Sequence, residues 1–595
     1  MIKKLAQSIR EFKGVSMLTP VFMIGEVVME VIIPLLMAKL VDDGIDGNAG
    51  AGDMSVILIM GALLAVCCII SLFFGFAGAK TGAKAAMGFA RNLRKDMYYK
   101  IQDFSFSNID KFSTASLVTR LTTDVTRVQD AYQMILRIAV RAPIMLIFSL
   151  IMAFIINVEL SLVFLVAIPI LGVGLLLIMK TAHPVFERVF KRYDNLNNVV
   201  QENVSGMRVV KAFVREDYEI QKFKAISGDI YKDFSFAEKV LAFNSPLMQF
   251  CAYGGMIAIS WLGANLIVFD GTLTTGELMS MTTYAMQILM NLMMLSMIFV
   301  MVTMSRASAE RICEVLNEES DIRSPAGAPV TEVADGSVEF RNVKFEYKKG
   351  SGKYALSDIN VSIKSGETIG IIGGTGSSKS TLVQLIPRLY DVSEGSVLVG
   401  GRDVREYDIE TLRDAVAMVL QKNTLFSGTI KDNLQWGKQD ATDEEMIEAC
   451  QLAQADPFIQ EFPDKYDTYI EQDGTNVSGG QKQRLCIARA LMKHPKILIL
   501  DDSTSAVDTA TDAKIRKAFR EKIPDTTKLI IAQRISSVMD ADKIIVLDGG
   551  KVMNFGTHDE LMKSSPIYRE VYESQQKGSE SVDEVSASLS KGGEA

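Results

Sequence analysis

At 595 residues the chain is too long for one ordinary domain, so at least two are expected. A net charge of -8 and a pI near 5.3 argue against a nucleic-acid partner. Mean hydropathy is +0.19 with 48% hydrophobic residues, high for a soluble protein, and the excess lies almost wholly before residue 306. Six cysteines (Cys67, Cys68, Cys251, Cys313, Cys450, Cys486) sit in apolar or helical contexts without metal-ligand spacing and read as small, reduced hydrophobes.

The chain opens on MIKKLAQSIREFKG, whose apolar positions Ile2, Leu5, Ile9 and Phe12 fall at helical spacing. It reads as an interfacial helix before the first span, held on the cytoplasmic side by Lys3, Lys4, Arg10 and Lys13, and not as a cleavable signal. Six apolar runs long enough to cross a bilayer follow, at about 16–41, 55–79, 136–156, 159–180, 243–268 and 277–304. The first connection, VDDGIDGNAGAGD, is Gly-rich and acidic, and the third is only a few residues around Asn157. The second (about 80–135) and fourth (about 181–242) are long and basic, which places them and both termini in the cytoplasm. Each is long enough for the helices to continue well past the membrane.

Two features of the spans invite function. Met286, Met290, Met293, Met297, Met301 and Met304 recur at steps of four and three, on one helical face. That face reads either as a pliable apolar wall for varied substrates or as helix-packing surface. Glu26 and Glu30 in the first span, and Arg137 and Arg141 in the third, are each one turn apart. Charges within apolar segments usually face a partner or a cavity, so mutual pairing, gating and recognition of a cationic substrate all remain open.

Beyond a linker at 311–335 the texture changes to short β-branched strands alternating with helices, the pattern of a parallel α/β domain over 336–575. The tail QQKGSESVDEVSASLSKGGEA is polar and Gly/Ser-rich, so 576–595 is expected to be disordered. Within the α/β region, TIGIIGGTGSSKSTLVQLI (368–386) is a buried strand, a Gly-rich turn and a helix. This is the design of a P-loop, in which backbone N–H groups and a helix N-terminus cradle phosphates. Gly373, Gly374, Thr375, Gly376, Ser377 and Ser378 would form the turn, with Lys379 on the β/γ-phosphates, Ser380 on Mg²⁺ and Thr381 beside it. The strict pattern has Gly where this chain has Ser378. Residues 477–508, VSGGQKQRLCIARALMKHPKILILDDSTSAVD, then place a Ser-Gly-Gly-Gln turn before an amphipathic helix and end a buried strand in Asp501 and Asp502.

That order resembles the ATP-binding cassette (ABC) family: P-loop, signature motif, Walker B strand and D-loop. Six spans followed by this ATPase resemble one half of an ABC exporter, over nearly the whole chain outside the tail. The resemblance includes NIDKFSTASLVTRLTTDV (108–125) and QENVSGMRVVKAF (201–213), where the family's cytoplasmic loops turn at short coupling helices that dock on a nucleotide domain. It implies an all-α six-span membrane domain (1–310) joined to an α/β nucleotide-binding domain, with ATP and Mg²⁺ as cofactors. It further implies a dimer with a second half-transporter in a lipid bilayer, a heterodimer ahead of a homodimer, for multidrug efflux of lipophilic or cationic small molecules, with a peptide or lipid exporter or an ATP-sensing regulatory subunit without transport as the alternatives. The half-transporter layout without a targeting peptide suits a bacterial plasma membrane.

Residue by residue, the resemblance assigns Tyr347 to stacking on adenine and Gln421 to the Q-loop, touching Mg²⁺ and sensing the membrane domain. Asp501 joins Ser380 and Gln421 in the metal shell. Ser478, Gly479, Gly480 and Gln481 form the signature, with Val477 for the usual Leu, and Asp508 closes the D-loop. Three departures stand out. Asp502 holds the place of the general-base Glu, Gln533 that of the switch His, and Gln472, in TYIEQDG, that of the Glu in TxVGExG. Aspartate is one methylene short of a position that needs reach of about 2.6–3.2 Å to a water, and glutamine carries neither positive charge nor a transferable proton. The chain's own site is therefore expected to hydrolyse slowly, while its signature completes a competent site on a different partner.

Overall fold

The computed structural model of the chain describes residues 1–47, 52–325, 327–503 and 505–576. The tail expected beyond 575, Gln576 excepted, and the middle of the first connection lie outside the described residues. Two compact units are present: residues 1–102 with 114–318, and residues 103–113 with those from 319 on.

In the first unit, six helices among the described residues are long and apolar enough to cross a membrane: Ile2–Asp46, Met54–Gln102, Thr114–Ile156, Val158–Ser205, Glu216–Asp270 and Thr275–Asn317. Each expected span falls inside one of them. The 49 residues of Met54–Gln102 reach about 74 Å at 1.5 Å per residue. That is more than twice a hydrocarbon core of about 30 Å, so such helices run far beyond the bilayer. The N-terminal segment is less purely interfacial than its spacing suggests. Leu5 is buried, Arg10 pairs with Asp96 at 2.6 Å, and Phe12 lies against Gly88, where an added Cβ would stand 2.4 Å from its ring.

The sixth helix is anchored to the first. Asp42 accepts from the Gly276 amide at 2.7 Å and from the Thr274 hydroxyl at 2.6 Å, beside a capping box of Thr274 and Glu277. Deeper in, the Tyr284 hydroxyl donates to the Val31 carbonyl at 2.7 Å. Toward the other end of the helix, Arg311 grips Asp124 at 2.8 and 2.5 Å, and Arg120 pairs with Glu314 at 2.8 Å. The sixth helix buries Tyr284, Ile288 and Ile298 while Met286, Met290, Met293, Met297 and Met304 are exposed. Most of the methionine face is thus free of packing within this chain.

The intramembrane charges pair selectively. A terminal guanidinium nitrogen of Arg141 meets both Glu30 carboxylate oxygens, at 2.7 and 2.6 Å, and Arg141 Nε stands 3.9 Å from Glu26. Arg137 forms no ion pair among the described residues; its stem lies over Gly82, where an added Cβ would stand 2.9 Å from Cδ. Removing one partner of a largely enclosed pair leaves the other charge uncompensated. Glu30→Ala should therefore destabilise this unit by about 2–4 kcal/mol, read as a lowered thermal midpoint of the detergent-solubilised chain. Adding Arg141→Leu should recover most of the loss.

Among the described residues, the second unit holds three sheets. β1 (Val338–Phe345), β2 (Leu356–Ile363), β4 (Glu394–Val399) and β5 (Arg402–Asp403) form an antiparallel sheet in the order β2-β1-β4-β5. The central sheet contains β3 (Thr368–Gly373), β6 (Val416–Val419), β9 (Ile497–Asp501), β10 (Thr527–Ile531), β11 (Lys543–Asp548) and β12 (Lys551–Gly556). It runs in the order β12-β11-β3-β10-β9-β6, parallel except for β12. β7 (Gly428–Thr429) and β8 (Tyr469–Ile470) pair separately. β9 and β10 are buried along their whole length, as a parallel strand covered on both faces must be. Ligands in such sheets bind beyond the carboxyl ends of the strands, and β3 and β9 both end there in candidate residues.

The short helix Phe106–Lys111 belongs to this unit. Ser105 caps it and donates to Asp321 at 2.5 Å, Asn108 donates to the Glu319 carbonyl at 3.1 Å, and Tyr390 donates to Asp110 at 2.6 Å. The loop expected to dock on a nucleotide domain is built into the fold of this one.

Candidate nucleotide site

β3 delivers the chain to Gly373, whose Cα is packed so closely that an added Cβ would sit 2.1 Å from the Leu547 carbonyl. The turn then opens outward. A Cβ at Gly374 or Gly376 would meet nothing within 4 Å, and Gly376 holds φ +82°. Thr375 is exposed and Ser377 buried. Ser378, at φ +69°, begins the helix Lys379–Gln384 in a left-handed conformation that strains a side chain by roughly 1–2 kcal/mol. The strict pattern's Gly at this place thus has a conformational reason.

Lys379 Nζ donates to the carbonyls of Gly373 and Gly374, at 2.8 and 2.9 Å. Burial lowers its pKa, against the nearby charges of Asp502 and Asp501. Ser380 donates to Asp501 at 2.9 Å. Asp501 is almost fully enclosed at the end of β9, and burial raises its pKa despite the Ser380 hydrogen bond. An adjacent hydroxyl and carboxylate are hard oxygen donors suited to Mg²⁺, and the open amide cradle suits phosphates. Gln421 is exposed just past β6 and, among the described residues, its side chain makes no hydrogen bond. Tyr347 shares a hydrogen bond with Thr381 at 2.8 Å and leaves about half its surface open, with edge contacts to Phe345 and Tyr390.

Asp502 follows in a left-handed turn (φ +50°), its amide donating to the Ile531 carbonyl at 3.2 Å. Gln533, just past β10, donates from Nε2 to Asp502 Oδ2 at 2.7 Å. Two of the three departures from the family pattern, Asp502 and Gln533, are therefore direct partners, and they line one cavity with Ser505, Thr509 and Asp512.

Ser478 caps the helix Gly479–Leu491 reciprocally with Gln481, at 3.3 and 2.9 Å. Gly480 is required by a close approach, since a Cβ there would stand 2.9 Å from the Ala506 carbonyl. Sequence reasoning missed Gln483, which accepts from the Ala506 amide at 3.0 Å and donates to Ser505 at 3.2 Å. It ties the signature helix to the D-loop, whose Asp508 caps the helix Thr509–Lys522. Gln483 stands two residues after the signature, but only the fold shows what it holds.

Residues 17–293 match the family of ABC transporter transmembrane regions, and residues 356–505 match the ABC transporter family. The chain is 38% identical over 563 residues to the uncharacterized ABC transporter ATP-binding protein YfiB of Bacillus subtilis, covering 94% of this chain and 96% of that protein. It is 31% identical to the putative multidrug export ATP-binding/permease protein YgaD of Bacillus subtilis, over 96% of this chain and 98% of that one. With the ATP-dependent lipid A-core flippase of Desulfotalea psychrophila it shares 32% identity, over 82% of this chain and 84% of that one. A solved bacterial Atm1-family ABC exporter with ATP bound has the same fold, at a TM-score of 0.79 and 23% identity over 95% and 98% of the two chains.

Proposed function

We propose that this chain, which belongs to the ABC transporter family and is a multi-pass subunit of an exporter of that family, is the half whose own nucleotide site holds ATP better than it cleaves it. The observation that carries this is the hydrogen bond from Gln533 to Asp502. The bond joins both departures at one edge of the site, and the first partner is a carboxylate one methylene short. The second partner is a residue that cannot carry positive charge or take up and release a proton.

In this reading the amides of Gly374 to Ser378 and Lys379 would hold the triphosphate, Tyr347 would stack on the adenine, and Ser380, Asp501 and Gln421 would hold Mg²⁺. The metal, when bound, neutralises charge on the β- and γ-phosphates. Asp502 orients the attacking water for in-line displacement, with its reach cut by one methylene. Ser478 and the amides of Gly479 to Gln481 form a helix N-terminus fit for the γ-phosphate of a second half-transporter. That partner would carry Glu and His where this chain has Asp502 and Gln533. ATP binding at both interfaces would clamp the halves, and hydrolysis at the partner's site would reset them. The short helix Met207–Ala212, with no buried residue and with Phe213 and Val214 exposed after it, offers the partner a docking tip.

For the cargo, the exposed methionine face and the name of the YgaD relative support efflux of lipophilic or cationic small molecules. The lipid A-core flippase among the relatives favours lipid export as the second reading. The test of the asymmetric site uses γ-labelled photoreactive ATP on the purified complex after turnover. This chain should retain intact labelled triphosphate while the partner has lost its γ-phosphate; equal loss from both would contradict the proposal.

A further inference from the structure

The amide of Gln575 bridges the backbone on both sides of Arg534. Its Oε1 accepts from the Ile535 amide at 2.8 Å, and its Nε2 donates to the Gln533 carbonyl at 2.9 Å. Ile535 is buried and opens the 3-10 turn Ile535–Ser537, so its N–H has no acceptor inside the turn. The Gln533 side chain, on the other side of the same peptide, reaches Asp502. A continuous chain of hydrogen bonds thus runs from the carboxylate that follows β9 to the C-terminal helix.

That helix, described over 566–576, is fixed where it meets the body of the unit. Tyr568 is fully buried and hydrogen-bonds His558 Nδ1 at 2.8 Å, and Tyr572 packs edge-on against the same ring. Val571 and Tyr572 rest on the core that also contains Ala532, Ile535 and Val538. Gln575 itself is exposed, and its two hydrogen bonds to the loop make the engagement polar and directional. Only a glutamine satisfies both contacts. Glutamate keeps the acceptor but loses the donor, asparagine is one methylene short, and alanine has neither.

We propose that Gln575 is a positioning residue for this chain's own nucleotide site, holding the backbone of Gln533 so that its side chain stays on Asp502. The inference rests on the reading of Asp502 and Gln533 as the γ-phosphate edge of that site. The C-terminal helix then sets the geometry of hydrolysis without touching nucleotide.

The test uses the full-length chain in lipid nanodiscs with MgATP. Gln575→Ala should lower kcat by about five- to tenfold, the expected scale for a misplaced catalytic neighbour. KM for ATP should stay within about twofold, because uniform binding is untouched. Amide exchange should rise in residues 532–538 and stay constant in 369–386, with the thermal midpoint unchanged. Gln575→Glu should keep Ile535 protected yet still slow turnover. Wild-type exchange and turnover in Gln575→Ala would overturn the proposal, as would exchange rising across the whole unit with a fallen midpoint. Gln533→Ala, measured alongside, separates the two readings. If it slows turnover and Gln575→Ala does not, the positioning role alone fails. If Gln533→Ala changes nothing, the assignment of the site's γ-phosphate edge fails and the positioning role falls with it.

Discussion

The double variant Asp502→Glu/Gln533→His should turn over ATP about 10²-fold faster than the wild-type chain, the scale associated with a misplacement of roughly 1 Å at a reacting group. In free energy that is close to 2.7 kcal/mol of barrier, at about 1.36 kcal/mol per tenfold. Neither single change should suffice. Asp502→Glu restores reach but leaves at position 533 an amide that carries no positive charge and releases no proton. Gln533→His brings back a group that titrates near neutrality but leaves the acid short. The backbone favours the present residue as well. Asp502 sits at φ +50°, a left-handed conformation that aspartate tolerates better than glutamate, so Asp502→Glu alone should slightly destabilise the unit. Steady-state phosphate release from the three variants is the measurement. A double variant no faster than either single one would contradict the proposal that Asp502 and Gln533 limit turnover at this site.

Ser478→Ala should lower ATP turnover of the complex with the second half-transporter by about 10²-fold, the usual consequence of deleting one preorganised donor from a charged transition state. The serine has two jobs that must be separated. Its hydroxyl caps the helix Gly479–Leu491 by accepting from Gln481, worth about 1 kcal/mol of local stability. The reciprocal bond from the Ser478 amide to Gln481 Oε1 survives the substitution, and Gln483 still holds Ala506. The helix should therefore persist while the donor is lost. Ser478→Thr keeps both cap and hydroxyl and should retain most activity. If Ser478→Ala and Ser478→Thr are equally fast, this signature completes no active site.

What could be read along the chain was what local chemistry encodes. The P-loop, the buried strand ending in Asp501 and the apolar spans each announce themselves within about twenty residues. The departure at Ser378 was visible in the sequence, but its cost became concrete only with a φ of +69°. Pairings across long stretches of chain were not legible. Gln533 with Asp502, Gln575 with Gln533, and Tyr390 with Asp110 depend on how strands and loops meet in space. The intramembrane charges make the same point. Two acids and two arginines, each at helical spacing, allow several pairings by pattern alone. The structure gives Arg141 to Glu30, while the stem of Arg137 is seated over Gly82, a residue of no obvious consequence in the sequence.

The most direct test of the asymmetric site is ATPase activity of the purified chain, alone and with its co-expressed second half-transporter. Slow turnover by the chain alone, and fast turnover with the partner that survives Asp502→Ala, is the predicted result. Brisk hydrolysis by the chain alone, abolished by Asp502→Ala, would mean that the Asp502–Gln533 pair is a competent catalytic edge and that the exporter works as a homodimer.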